Sequence, residues 1–267
     1  MFVLSVVLAW FLVGAAMVAV AAPLLRSPMG DIWPQTLGSL AATGVLLLLV
    51  SRLGWLRPMG ITTLGTWSTW ALTLLLGSYV VLSGFDAFFG EISFDARSLL
   101  ANDEAQVILV RQAVVGFVEE TLFRGTLLYA LVRVWGRTKP GLIAAAVVQA
   151  ALFGIPHALQ ALVGLPPLTA LTNVAATFVT GLWLGLLALS AGTLWPAIVL
   201  HAVSNAAILI KGLSSPWVDP AALGYVRATL FELPLVLMGL WIILKAEARS
   251  SAASVRTPCS AIGRSHK

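Results

Sequence analysis

Cysteine is almost missing from this chain of 267 residues, and the single one, Cys259, lies in a polar C-terminal stretch. A disulfide needs a second cysteine and a cysteine-based metal site needs several, so both are excluded. Charge is also scarce. Only 10% of residues are charged and 59% are hydrophobic, whereas a soluble domain carries about 25% charged residues. The solvent for most of the chain is therefore lipid. The ten-residue alternating pattern of a membrane β-barrel is missing too, and the apolar runs are long and continuous, which makes the fold class all-α. No internal repeat is apparent. The first apolar run lacks the positive flank and the short length of a cleaved signal peptide.

What is present is a series of eight apolar spans over 2–24, 35–51, 66–84, 106–134, 140–159, 168–190, 193–211 and 228–245. The expected architecture is a polytopic transmembrane helix bundle with its site among spans four, five and seven. The segment 86–105 mixes Asp86, Glu91, Asp95 and Asp103 with Phe88, Phe89 and Phe94, the composition of an amphipathic stretch at the membrane interface. The chain divides into 1–105, three spans plus that segment; 106–245, a helical core; and 246–267, a polar tail expected to be disordered and cytoplasmic.

The formal charge of +5 speaks for orientation in the membrane rather than for nucleic acid. With both ends in the cytoplasm, Arg52, Arg57, Arg133, Arg137, Lys139, Lys245 and the basic tail fall inside, against Arg26, Arg97, Lys211 and Arg227 outside. The positive-inside rule favours that threading. It places an integral protein in a cell membrane, bacterial or archaeal, with the bilayer as its first partner.

An ionisable side chain at the centre of a membrane helix costs about 2.5–3.5 kcal/mol, so those that occur are functional candidates. They are Arg111, Glu119, Glu120 and Arg124 in the fourth span, His157 in the fifth, His201 with Asn205 in the seventh, and Glu232 in the eighth. Glu120 and Arg124 are four apart on one helical face, and Glu119 is turned away by about 100°. One carboxylate can pair with the guanidinium, which leaves the other for chemistry or for a metal. A structural lock needs only one. Gly154 and Pro156 predict a kink or an end to the helix just before His157, freeing backbone groups there. His201 and Asn205 lie one turn apart on a single face, so both project toward the same neighbour. Alone, each of these groups also fits interhelical packing.

Read in order, Glu-Glu-x-x-x-Arg, Phe-x-x-x-His and His-x-x-x-Asn on successive membrane helices resemble the CPBP family of intramembrane peptidases. That family includes the type II CAAX prenyl endopeptidases and the lysostaphin-resistance or bacteriocin-immunity-like proteins. The resemblance covers roughly 110–210. It implies hydrolysis of a peptide bond in a membrane-associated or prenylated-type protein substrate. Glu119 with His157 would activate a water, Arg124 would orient the glutamates, and His201 with Asn205 would stabilise the oxyanion. Family names imply a metalloprotease, and zinc could be held by His157, His201 and either Glu119 or Glu120. The helical His-Glu-x-x-His motif is absent, however, and the role assignment works without a metal.

Two other functions fit the same residues: a non-catalytic immunity or scaffold protein, and a proton-coupled transporter, which the missing repeat disfavours. Depth supplies a geometric demand. At 1.5 Å per residue, Glu120 and His157 each lie about 27 Å from the turn near Thr138, and His201 only about 14 Å from the turn near Gly192. For the three to meet, the 136–140 hairpin must project about 13 Å beyond its neighbour.

Overall fold

The computed structural model describes residues 32–75, 77–78, 101–214, 230 and 232–254, and those residues form helices and turns with no strand. The helices are α1 (Ile32–Arg52), α2 (Asp103–Glu120), α3 (Tyr129–Trp135), α4 (Lys139–Gly154), α5 (Pro167–Ala191), α6 (Trp195–Ser214) and α7 (Leu233–Ser254). A π-helical segment, Thr121–Leu128, joins α2 to α3, and a 3-10 helix, Ile155–Val163, extends α4. Residues 67–75 are also helical.

Among the described residues three helices are long and apolar enough to cross a membrane: Trp33–Arg52, Lys139–Leu162 and Pro167–Ala191. They coincide with the second, fifth and sixth expected spans. The first expected span and most of the 86–105 segment lie outside the described residues. The apolar part of the eighth, Leu233–Lys245, ends where expected, and the helix α7 continues beyond it through Ser254. Ala246, Glu247, Ala248 and Arg249 are all good helix formers, so a polar composition did not by itself end the helix.

Local chemistry explains the helix ends. Asn102 accepts a hydrogen bond from the Ala105 amide at 3.0 Å and caps α2. Thr138 does the same for Gly141 at 3.2 Å, with Pro140 in the first turn of α4, where its missing N–H costs nothing. The kink predicted at Gly154–Pro156 is a change of helix type. Pro156 has no N–H to offer the ladder, and the chain tightens into the 3-10 form until Gly164, at φ 103°, closes it.

Helices meet where side chains are small. A Cβ on Gly116 would lie 2.8 Å from the Ile198 carbonyl oxygen and 3.1 Å from Ala202, so α2 and α6 touch backbone to backbone. Gly154 brings α4 against Val174 and Phe178 of α5, and Gly181 brings α5 against Ala150 and Phe153. Between membrane helices, packing of small residues replaces the hydrophobic drive of a soluble core. The core proper gathers Leu122, Leu127, Leu128 and Leu131 with Met59, Phe153, Leu194 and Ile198.

The turn before α6 is pinned from the loop after α1. Leu194 N–H donates to the Gly60 carbonyl at 3.1 Å, Trp195 Nε1 donates to Ile61 at 3.0 Å, and the Thr193 hydroxyl donates to Thr63. Gly60, at φ 84°, admits this approach because a Cβ there would meet Thr193 Cα at 2.8 Å. Leu194 in turn packs on Gly125. The start of α6 is thus level with the middle of the α2–α3 rod, and the 136–138 turn lies about 16 Å further along it. The projection demanded by the sequence is present.

Gly116→Ala is expected to lower stability by about 1–3 kcal/mol, because the added methyl presses on backbone rather than on a movable side chain. Gly44, with open space around its Cβ position, is the control. Gly44→Ala should leave the thermal unfolding midpoint in detergent unchanged or slightly raised, and equal midpoints for the two variants would remove the close contact from the account.

Candidate active site

The π segment begins one residue after the paired glutamates, and every residue in it is buried. π segments inside α-helices commonly mark functional sites, because the extra residue per turn re-aims the side chains around it. Here the Thr126 hydroxyl donates to the Thr121 carbonyl at 3.0 Å and supports the widened turn. Glu119 and Glu120 end the α-helix and Arg124 lies within the wider part. Glu120 is fully buried, whereas the Glu119 side chain is 31% exposed.

Glu120 and Arg124 pair across their one turn, Nη1 to Oε1 at 2.8 Å, with both side chains shut off from solvent. Arg124 Nη2 donates to the Gly181 carbonyl at 3.4 Å, and its guanidinium lies 4.3 Å above the Phe153 ring. A cation over an aromatic face is attractive and more so when desolvated.

His201 comes to the same carboxylate from α6. Its Nδ1 lies 2.6 Å from Glu120 Oε1, and its Nε2 lies 3.6 Å from Glu119 Oε2. The order of contacts is therefore Arg124, Glu120, His201, Glu119, running from the buried side toward the exposed one. A carboxylate accepts, so Nδ1 of His201 carries a proton and Nε2 is the nitrogen that faces Glu119.

His157 is held differently. Its Nδ1 is 3.2 Å from the Phe153 carbonyl oxygen, just before the chain turns 3-10. The carbonyl can only accept, so Nδ1–H donates and the neutral ring keeps its lone pair on Nε2. The Phe153 ring stands between the two histidines, with centroids 5.7 Å from His157 and 5.9 Å from His201, both edge to face. His157 makes no ion pair with either glutamate among the described residues. Asn205 is half-buried one turn beyond His201 on α6 and does not share its contact with Glu120.

Glu120 Oε2, Thr121 Oγ1 and Arg124 Nε are buried without a hydrogen-bond partner in the protein. Such atoms cost about 1–3 kcal/mol each unless water reaches them. The site is thus a polar point within an apolar bundle where water is the natural partner. No group of three or more His, Cys, Asp or Glu among the described residues is gathered so as to hold a metal ion. The zinc set of His157, His201 and Glu119 or Glu120 is not among the groups so gathered.

Several contributors escaped the sequence reading. Gly181 looks like an ordinary small residue, yet its carbonyl anchors the guanidinium, and Phe153, read only as part of the Phe-x-x-x-His pattern, floors it. Gln149, one turn from Phe153 on α4, is fully buried with both amide atoms lacking a partner, against Gly185 of α5. A polar amide within an apolar span was the available signal. Glu232 was visible as an ionisable residue in lipid, but its neighbour, Thr180, was not.

Residues 101–207 match the family model described as type II CAAX prenyl endopeptidase Rce1-like, in agreement with the motif resemblance. The matched stretch contains Glu119, Glu120, Arg124, His157, His201 and Asn205. Neither a curated protein nor a solved structure matches the chain.

Removing one member of a buried ion pair leaves an uncompensated charge, at a cost of about 3–5 kcal/mol. Arg124→Met is expected to lower the unfolding midpoint far more than Glu119→Gln, whose side chain reaches solvent. Adding Glu120→Gln to Arg124→Met should recover part of the loss, and a further drop in the double variant would contradict the pairing.

Proposed function

We propose, for a chain whose residues 101–207 match the Rce1-like family of type II CAAX prenyl endopeptidases, an intramembrane endopeptidase. It hydrolyses a peptide bond in a membrane-associated or prenylated-type substrate. The observation that carries this reading is the line from Arg124 through Glu120 and His201 to Glu119. A structural lock needs the first pair alone. The further imidazole and second carboxylate, stepping toward solvent, supply what hydrolysis requires: a base that water can reach and a donor held in place.

In this reading Glu119 is the base, being the carboxylate that is partly exposed and not spent on Arg124. It takes a proton from water as the water oxygen bonds to the scissile carbonyl carbon. The carbonyl electrons move to oxygen, and a donor from the His201 and Asn205 side of the site stabilises that charge. Collapse of the tetrahedral species breaks the C–N bond, and the leaving amine takes the proton that Glu119 received, so protons and electrons balance. His157, with Nδ1 engaged by a backbone carbonyl, offers Nε2 to the water or to the leaving group. Arg124 holds Glu120 and, through it, His201. No step requires a metal.

The membrane arrangement that goes with this function is the eight-span bundle with both termini cytoplasmic in a bacterial or archaeal cell membrane, the site reached from the bilayer or the cytoplasmic side. The basic residues of the short loops support that orientation.

The test uses the full chain in detergent and a quenched peptide library, after thermal unfolding has established that the variants are folded. Glu119→Gln keeps volume and hydrogen bonding but cannot act as a base, so cleavage should fall by about 100- to 10,000-fold. His157→Ala should fall comparably. Unchanged cleavage by both variants, or none by the wild type, rejects the peptidase. A non-catalytic scaffold tolerates the glutamine. Activity that survives a chelator supports a water activated by glutamate, and activity abolished by it and restored by zinc contradicts the metal-free route.

A further inference from the structure

Glu232 is the fully buried carboxylate that this mechanism leaves unused. It lies just before α7, outside the residues that match the family model. It accepts a hydrogen bond from the Thr180 hydroxyl of α5. Thr180 immediately precedes Gly181, whose carbonyl accepts from Arg124 Nη2 and whose missing side chain lets Phe153 lie under the guanidinium. Two adjacent residues of one helix thus connect Glu232 on one side with Arg124 on the other.

The wider packing agrees. Six residues beyond Thr180, Leu186 lies against Gly239, seven beyond Glu232, where a Cβ would approach the Leu186 Cβ at 3.0 Å. Helices α5 and α7 therefore run side by side in the same direction, in contact at both points. A carboxylate sealed in an apolar bundle is costly, and a hydrogen bond joining two helices needs no ionisable group. A serine or an asparagine would serve as glue.

We infer that Glu232 is a positioning residue for the active site. By holding Thr180, it fixes the depth and rotation of α5 at Gly181, and so the seat of Arg124, from which Glu120 and His201 take their orientation. The inference rests on the peptidase reading for its effect on turnover, but the latch itself does not depend on that reading.

Two measurements test it on the full chain. In the first, Glu232→Leu and Thr180→Val, the second nearly isosteric and keeping the helix packing, are expected to lower kcat at least tenfold with KM within about twofold of wild type. Glu232→Gln and Thr180→Ser keep the acceptor and the donor, and each should restore most of the loss. A fall in activity that only follows the fraction unfolded, or a glutamine variant as poor as the leucine one, overturns the positioning role. In the second, unfolding midpoints are compared for Glu232→Leu, Arg124→Lys and the double variant. Coupled sites give a double loss clearly smaller than the two single losses added together, and additive losses overturn the latch. Sub-additive losses in a protein whose wild type cleaves nothing keep the latch and reject the peptidase, so the two ideas fail separately.

Discussion

A guanidinium shut away from water inside an apolar bundle is the constraint around which this structure is organised. Arg124 is 2% exposed, and a cation in such surroundings persists only where partners replace its hydration. It has three, each from a different element: Glu120 from the end of α2, the Gly181 carbonyl from α5 and the Phe153 ring from α4. No two of these helices can shift without loosening one of those contacts. The carboxylate used by Arg124 is the one that holds His201 at 2.6 Å, so the fourth element, α6, is tied into the same point. Fold and site are in this sense one set of contacts.

The small residues make that convergence possible. Gly116 lets α2 approach α6 three residues before Glu119, and Ala202 on the facing side directly follows His201. Gly181 and Ala150 bring α4 and α5 together, one turn from Gly185 and next to Gln149. Larger side chains at these points would separate the helices by an ångström or more, which is comparable to the tolerance of a hydrogen bond. Packing and chemistry are therefore set by the same positions, and the apolar spans carry more information than their composition suggests.

The polar members of the site were legible because lipid makes them conspicuous: each of Glu119, Glu120, Arg124, His157, His201 and Glu232 is expensive in an apolar span. The split between the two glutamates was legible from helix geometry, since only Glu120 shares a face with Arg124. So was the break at Gly154–Pro156, because proline removes a donor. The π segment was not. Thr121, Gly125 and Thr126 weaken the helical propensity of Thr121–Leu128, but they do not specify a widened turn, which depends on what packs around it. The roles of Phe153, Gly181, Gln149 and Thr180 were hidden for the same reason: each acts through a neighbour on another helix, and a spacing rule sees one helix at a time. The depth demand was the one long-range relation that sequence reached. Counting residues required a projecting hairpin, and the packing of Gly125 on Leu194 supplies it.

The two histidines look equivalent in the sequence, and the structure separates them by what holds Nδ1. For His157 the partner is a neutral backbone carbonyl, that of Phe153. For His201 it is a carboxylate already bound to arginine. Both arrangements engage Nδ1 and leave Nε2 for other partners, but they prepare the ring differently. A carboxylate offers a countercharge when the ring takes a second proton, and a carbonyl offers only a dipole. In the proposed mechanism His201 would donate to the oxyanion with a countercharge behind it, whereas His157 would present a lone pair. Pairs of like groups placed in unlike surroundings are how a single site runs acid and base steps together. In this chain the difference arises from a proline that ends one helix and a glutamate that ends another.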